Sequence, residues 1–506
     1  MSIFPRKNSH KVLFVAPEAA PFAKAGGLGE VMFALPRSLS DLGYDVRVMI
    51  PRYGSIDLEK FKLEMVYEGL EVPTDSVGDT QPGFLVCNVK KVVSDKAPRS
   101  PVTTYFLENM EYYEQRANIY GYADDVVRWA LLCRGVLEFL RRSEWVPDVI
   151  VSADWQTGFL PNYHKTVYKD DRVLKNIATI FSIHNLFYQG NFDHRFVSEM
   201  DFDDGKSPIP SFFDPRLLKI NGMKRGIMYS DLINTVSPTY AKEMMTSDYG
   251  ELLDGLLRER RSQVYGVING IDYEVFNPET NVGLAKKYSI DNLSDRAANK
   301  LELQDRFGLE KNERVFLATI VSRLTEQKGL DLLLPIVDHL IRELKMQLVV
   351  LGSGDSKYMG FFQDLEKRFP GLVAAHLNFD ANLPHLFYAG ADAILIPSRF
   401  EPSGLSQMEA MRYGCVPIVR KTGGLADTVE DYNAEKDTGT GFVFENFDST
   451  ALLIAVVRAF ENYRNPKIWE KLRKRCMKKD FSWKKSAAEY GRLFNIAISF
   501  HDKKSE

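Results

Sequence analysis

Residues 11–51, KVLFVAPEAAPFAKAGGLGEVMFALPRSLSDLGYDVRVMIP, decide the fold class. After its lysine the opening run Lys11–Ala16 is continuously apolar and reads as a strand buried on both faces. Val46–Pro51 reads the same way. Between them, Glu30–Leu42 repeats apolar residues at helical spacing. The stretch is therefore a βαβ unit, whose parallel strands need helices on both faces of their sheet. Val149–Ala153 and Ile177–Ile183 extend the pattern. A second series, Val315–Val321, Gln347–Leu351, Ala393–Pro397 and Val416–Val419, alternates with helical segments in the same manner. The expectation is an α/β protein with two doubly wound halves.

The length supports that division, because 506 residues exceed what one ordinary core buries. The apolar run ending at Val267 meets a turn at Ile268–Asp272, which sets a boundary between a first domain over residues 1–268 and a second over 269–483. The tail continues as an amphipathic helix carrying Trp483, Tyr490, Leu493 and Phe494. Segments 60–120 and 190–225 show no clear period and are expected as irregular insertions over the first sheet.

Composition narrows the function classes. Hydrophobic residues make up 45% and charged residues 26%, the profile of a soluble globular chain. The 65 basic and 68 acidic side chains nearly cancel, which argues against a general nucleic-acid binder. No run approaches the ~18 apolar residues of a membrane span, and the polar N-terminus lacks the apolar core of a secretory signal. Cys87, Cys133, Cys415 and Cys476 lie far apart with no CxxC pair. They read as buried thiols in a reducing cytoplasm, not as a zinc site or disulfide framework.

Four groups of residues carry candidate chemistry. In Lys24-Ala25-Gly26-Gly27-Leu28 the glycines admit a ligand to the backbone, the following helix start offers N–H groups, and Lys24 adds a charge. A diphosphate or sugar suits such a turn, although Gly-Gly turns also serve purely structural ends, and the spacing is not GxGxxG. Arg323-Leu324-Thr325-Glu326-Gln327-Lys328-Gly329 follows a strand and offers a guanidinium fork and an ammonium to phosphate oxygens; its alternative is a solvated helix start. Pro397–Glu409 (PSRFEPSGLSQME) delivers Glu401 to a strand end, with Pro402 in the first helical turn and Gly404-Leu405 opening the helix. Glu409 lies eight positions on, just over two helical turns, so both carboxylates address one side. An acid here also simply complements the helix dipole. Asp154 and His184-Asn185 end strands of the first sheet, where a structural role is equally open. A faint echo links Gly26-Gly27-Leu28-Gly29-Glu30 with Gly423-Gly424-Leu425-Ala426-Asp427.

In order, KAGGL (24–28), DWQTG (154–158), HN (184–185), NGID (269–272), SRLTEQKG (322–329), SRFEPSGL (398–405) and TGGLAD (422–427) resemble the glycogen synthase and starch synthase family in its bacterial and plant branch. The resemblance runs from KVLFVAPE (11–18) to FSW (481–483). It implies a GT-B fold, two facing Rossmann-like domains with a deep interdomain cleft. The first domain would serve the acceptor and be completed by the C-terminal helix 484–506; the second would bind the nucleotide sugar. The implied reaction moves glucose from ADP-glucose to the non-reducing end of an α-1,4-glucan or maltooligosaccharide with retention, without metal or other cofactor, and with no nucleic-acid or membrane partner. By the same resemblance, Lys24, Gly26 and Gly27 meet the donor, Arg323 and Lys328 bind the departing diphosphate, and His184 and Asn269 contact the donor glucose. Glu401 holds that sugar beside the reacting carbon and is not a covalent nucleophile. Gly404, Leu405, Thr422 and Gly423 add contacts around the donor, Asp154 lies on the acceptor side, Phe379 stacks on the base, and Glu409 meets the ribose. Ser403 departs from the cysteine common in the family's EPCGL motif.

Three rival readings stay open at this level. UDP-glucose is an alternative donor, and a small sugar or a lipid is an alternative acceptor for a retaining GT-B enzyme. A non-catalytic glucan-binding regulator on the same fold is a third, set against the presence of Lys24, His184, Arg323, Lys328 and Glu401 together. A pyridoxal-phosphate phosphorylase is disfavoured by the lack of a recognisable cofactor-lysine motif.

Overall fold

The computed structural model describes residues 10–76, 81–93, 102–378 and 380–505. The chain forms two compact units. The first runs to Val236, resumes over Ala241–Val267 and takes Trp483 onward; the second takes Ser237–Tyr240 and Ile268–Ser482.

The first unit is built on a nine-stranded sheet. Its strands are β1 (Lys11–Val15), β2 (Asp45–Pro51), β3 (Glu64–Pro73), β4 (Phe84–Val93), β5 (Thr103–Glu108), β6 (Val149–Ala153), β7 (Ala178–Ile183), β8 (Leu232–Thr235) and β9 (Val264–Gly266). Their order is β3-β4-β5-β2-β1-β6-β7-β8-β9. All neighbours are parallel except β3/β4 and β4/β5. β6 and β7 are buried at every position because helices cover both faces. The helix Gly27–Asp41 connects β1 to β2, and the helix Asp125–Arg142 follows β5 and is buried from Asp125 to Leu140.

Residues 64–108 correct the expectation of an irregular insertion. They supply three strands that extend the sheet itself. The period of β3 was hidden because it is an edge strand exposed at most positions, and its pairing with β4 slips twice, between Met65, Tyr67 and Leu70. Segment 190–225 is irregular, with short 3₁₀ turns at His194–Phe196, Glu199–Asp201 and Pro215–Lys219.

The second unit holds a six-stranded, wholly parallel sheet of β10 (Leu317–Val321), β11 (Gln347–Leu351), β12 (Val373–His376), β13 (Ala393–Ile396), β14 (Val416–Arg420) and β15 (Phe442–Phe444), in the order β12-β11-β10-β13-β14-β15. Its core packs β10, β11, β13 and β14 against Phe362, Phe387, Met411 and Trp469. The final helix, Trp483–Ser505, belongs to the first unit, where Tyr490, Leu493 and Phe494 are buried. All four cysteines are buried and free. No described helix is long and apolar enough to cross a membrane.

Each sheet has a point where the chain reverses its direction of travel: β1, flanked by β2 and β6, and β10, flanked by β11 and β13. Open α/β sheets bind ligands beyond the carboxyl ends of strands at such points. The candidate motifs follow β1, β6, β7, β10 and β13.

Candidate active site

In the first unit the turn after β1 is organised by a residue that the sequence reading passed over. Glu18, 2% exposed, accepts the Ala25 and Gly26 N–H groups on Oε2, the latter at 3.0 Å. The helix starts at Gly27, directly behind this clamp. An anion therefore already occupies two of the amides expected to face a ligand, and it is internal. Only a carboxylate eight residues before the glycines marked it in the sequence, and a carboxylate that binds main chain leaves no side-chain motif. Lys24 pairs with Glu30, and both are about half exposed.

Asp154 leaves β6 with φ of 59°, a left-handed conformation unusual for aspartate. Its Oδ1 accepts the His184 N–H at 2.7 Å and the Asn185 N–H at 3.3 Å, so it ties the end of β6 to the turn after β7. Burial pushes its carboxyl up to about 7, against the pull of those two amides. Burial also holds His184 down to about 4, a neutral ring at neutral pH. His184 Nε2 lies 3.2 Å from Ser182 Oγ, which also receives the Asn234 amide at 3.3 Å; that amide reaches Tyr490 Oη at 2.8 Å. The final helix thus helps to fix the histidine.

In the second unit Lys328 Nζ lies 2.6 Å from Glu401 Oε2, which also accepts the Ser398 hydroxyl at 2.9 Å. Both members of the pair are mostly buried, at 18% and 8% side-chain exposure. Arg323, two residues past the end of β10, is exposed, and its guanidinium has no partner among the described residues. A small cavity of about 50 Å³ is lined by Ser322, Lys328, Glu401, Gly404 and Leu405, among others.

The segment after Glu401 corrects two expectations. The helix begins at Ser406, not at Pro402 or Gly404, because Gly404 turns left-handed with φ of 64°. Residues 401–405 are therefore not helical, and the two-turn spacing that set Glu409 beside Glu401 does not exist. Glu409 instead lies in the first turn of the new helix and accepts the Tyr388 hydroxyl at 2.9 Å.

Thr422, Gly423 and Gly424 open a short helix against the backbone of the Glu401 loop. The Gly424 N–H donates to the Glu401 carbonyl at 3.0 Å. A Cβ at Gly423 would stand 2.0 Å from that same oxygen, and one at Gly424 would stand 1.7 Å from the Ser403 carbonyl. Thr422 is fully buried. Asn269 is 5% exposed and its Oδ1 has no hydrogen-bond partner among the described residues. Ser403 Oγ is likewise buried without a partner, so the position asks for no hydroxyl, and a thiol would suit it as well. Phe379 lies outside the described residues.

Comparison with known proteins agrees with this architecture. Residues 11–259 match the family described as starch synthase catalytic domain, and residues 302–480 match glycosyl transferases group 1. A glycogen synthase of Geobacillus stearothermophilus is 44% identical, covering 96% of this chain and 98% of its own. That of Thermosipho melanesiensis is 41% identical over 97% and 99%. The solved catalytic domain of starch synthase IV from Arabidopsis thaliana, bound to ADP and acarbose, superposes with a TM-score of 0.80 at 30% identity, covering 97% of this chain and all of that one. With two Rossmann-like units, cationic and carboxylate groups at their strand ends, and near-complete coverage by such relatives, the chain belongs to the glycogen synthase and starch synthase family of GT-B glucosyltransferases.

Proposed function

We propose that this enzyme transfers glucose from ADP-glucose to the non-reducing end of an α-1,4-glucan with retention of configuration, in the cytoplasm. The observation that carries the residue assignments is the Lys328–Glu401 pair, with Arg323 exposed and unpartnered among the described residues in the same loop after β10. Breaking a glycosyl–phosphate bond develops negative charge on the diphosphate and positive charge on the anomeric carbon. Arg323 and Lys328 stabilise the first; Glu401 lies where it can orient the sugar and stabilise the second. Preformed charges of this kind cost no reorganisation during reaction. Among the described residues that line the cavity at Lys328, Glu401 is the one carboxylate. That favours leaving-group-assisted attack on one face over a two-carboxylate mechanism, which flanks the bond with a pair.

In the first unit, neutral His184 is a donor or acceptor for a sugar hydroxyl. Asp154 works chiefly by positioning it, although the same carboxyl lies at the strand end assigned to the acceptor. Lys24, Gly26 and Gly27 would meet the donor. Ligand entry there requires Lys24 to leave Glu30, an exchange between half-exposed partners that costs little. Asn269, Gly404, Leu405, Thr422 and Gly423 complete the donor side. Phe379 is assigned to the base and Glu409 to the ribose; for Glu409 this means giving up or sharing the Tyr388 hydroxyl. Adenine as the base draws support from the starch synthase solved with ADP.

The test is release of nucleoside diphosphate from ADP-glucose and from UDP-glucose, each with and without maltooligosaccharide. Glucan-dependent release, faster from ADP-glucose, is expected. Faster release from UDP-glucose would replace the donor, and release that ignores the glucan would replace the acceptor.

A further inference from the structure

Gln407, the second residue of the helix Ser406–Arg412, is fully buried. Its Nε2 donates to the Gly404 carbonyl at 2.7 Å, to Thr428 Oγ1 at 3.1 Å and to the Ser403 carbonyl at 3.3 Å. Two of these three acceptors are carbonyls, which fixes the nitrogen as the end of the amide that faces the loop. Its Oε1 is buried without a partner among the described residues, so the amide is committed to donating. Thr428 closes the short helix Gly423–Thr428 and passes its own hydroxyl hydrogen to the Gly424 carbonyl at 2.6 Å. One side chain therefore ties the left-handed turn at Gly404 to the helix that lies against the Glu401 loop.

A trans peptide is planar, with its C=O and N–H antiparallel, and both peptides of this turn are trans. The Ser403 carbonyl shares a peptide with the Gly404 N–H, and the Gly404 carbonyl shares one with the Leu405 N–H. Drawing both carbonyls to one buried nitrogen therefore turns both N–H groups away from it. Neither N–H has an acceptor among the described residues. The residue between the two peptides is a glycine, whose backbone would turn most freely without such a hold. We propose that Gln407 is a positioning residue for the donor, holding the Gly404 and Leu405 N–H groups as a preset pair for the diphosphate. The inference rests on the reading above that Gly404 and Leu405 meet the donor. N–H groups already in place stabilise an anion more than groups that must first be ordered. Gln407 acts through the backbone and needs no contact with the sugar.

Isothermal titration of the full-length protein with ADP and with UDP, alongside initial rates with maltooligosaccharide, tests the proposal. Gln407→Leu keeps most of the bulk and removes the donor. It should bind the nucleoside diphosphate at least about tenfold more weakly, with the KM for maltooligosaccharide unchanged. Gln407→Glu separates positioning from packing, because it keeps the shape of glutamine while its charge follows pH. Ionised, it sets oxygens against two carbonyls; protonated, it regains one O–H donor. Burial favours the protonated form, so its affinity relative to the parent should recover as pH falls from about 8 to 6. Lys328 and Glu401, the titratable groups lining the cavity beside Gln407, are common to parent and variant, so the ratio cancels them. Parent-like nucleotide binding by Gln407→Leu, equal losses for donor and acceptor, or a Gln407→Glu ratio that does not move with pH would each overturn the inference alone. A parent that binds neither nucleotide would remove the donor-site reading and the inference with it.

Discussion

Lys328 and Glu401 are a pair whose partners depend on one another, since removing either leaves a mostly buried charge unmatched. Glu401→Gln keeps the shape and an oxygen for the Ser398 hydroxyl but deletes the charge. Turnover is expected to fall about 10²–10³-fold, with near-ultraviolet circular dichroism unchanged; parent-like turnover would remove Glu401 from the transfer step. Asp154 and His184 act in opposite directions on one pH window. With the Asp154 carboxyl raised to about 7, between about pH 4 and 7 the unfolded chain releases a proton that the folded chain keeps, so stability from this group is lost as pH rises. With His184 lowered to about 4, between about pH 6.5 and 4 the unfolded chain takes up a proton that the folded chain refuses, so stability is lost as pH falls. The two slopes offset each other in the parent. Asp154→Asn keeps an oxygen for the His184 and Asn185 amides and deletes only the first slope. Its unfolding free energy relative to the parent should therefore improve as pH rises from 4 to 7, by at most roughly 1.4 kcal/mol per pH unit. A flat difference in denaturant titrations across that window would show that the folded carboxyl is ionised.

At the scale of elements, the two glycine turns look alike in sequence and differ in cause. Gly424 sits under the Ser403 carbonyl with no room for a Cβ, whereas a Cβ at Gly27 meets nothing within 4 Å. Gly424→Ala should push the Glu401 loop outward, lowering stability by about 3 kcal/mol and activity with it. Gly27→Ala, at the first position of a helix, should change stability by no more than about 1 kcal/mol. A loss of activity in Gly27→Ala at unchanged melting temperature would show that ligand approach, and not packing, excludes the side chain. The same contrast explains what the sequence disclosed. β6 and β11 were legible to the residue because strands buried on both faces read as unbroken apolar runs. β3 was not, because an edge strand with charged, exposed positions has no such run. The helix after Glu401 was misplaced because the left-handed turn at Gly404 cannot be told from a helical glycine without the backbone. Glu18 went unseen because its partners are main-chain amides that only the folded turn brings to it.

For the whole molecule, the order of the chain matters as much as its two sheets. The first unit is interrupted, since it needs a helix made last, after all of the second unit. That helix buries Trp483, Tyr490, Leu493 and Phe494, adds an edge-to-face contact between Phe494 and Tyr44 at 5.6 Å, and joins Asn234 through Tyr490. Four large side chains at about 1.5–3 kcal/mol each give on the order of 6–12 kcal/mol, which equals the net stability of a typical domain. A fragment ending at residue 267 should therefore lack a cooperative thermal transition, and a synthetic peptide of residues 483–505 should restore one. The fragment 268–482 carries β10 to β15 without interruption and loses the segment Ser237–Tyr240, with its contacts of Ser237 and Thr239 to Asp427. It should unfold cooperatively alone. Calorimetry of the two fragments decides the matter: a cooperative transition in residues 1–267 without the peptide would mean that the final helix adds packing but not the margin on which the first unit folds.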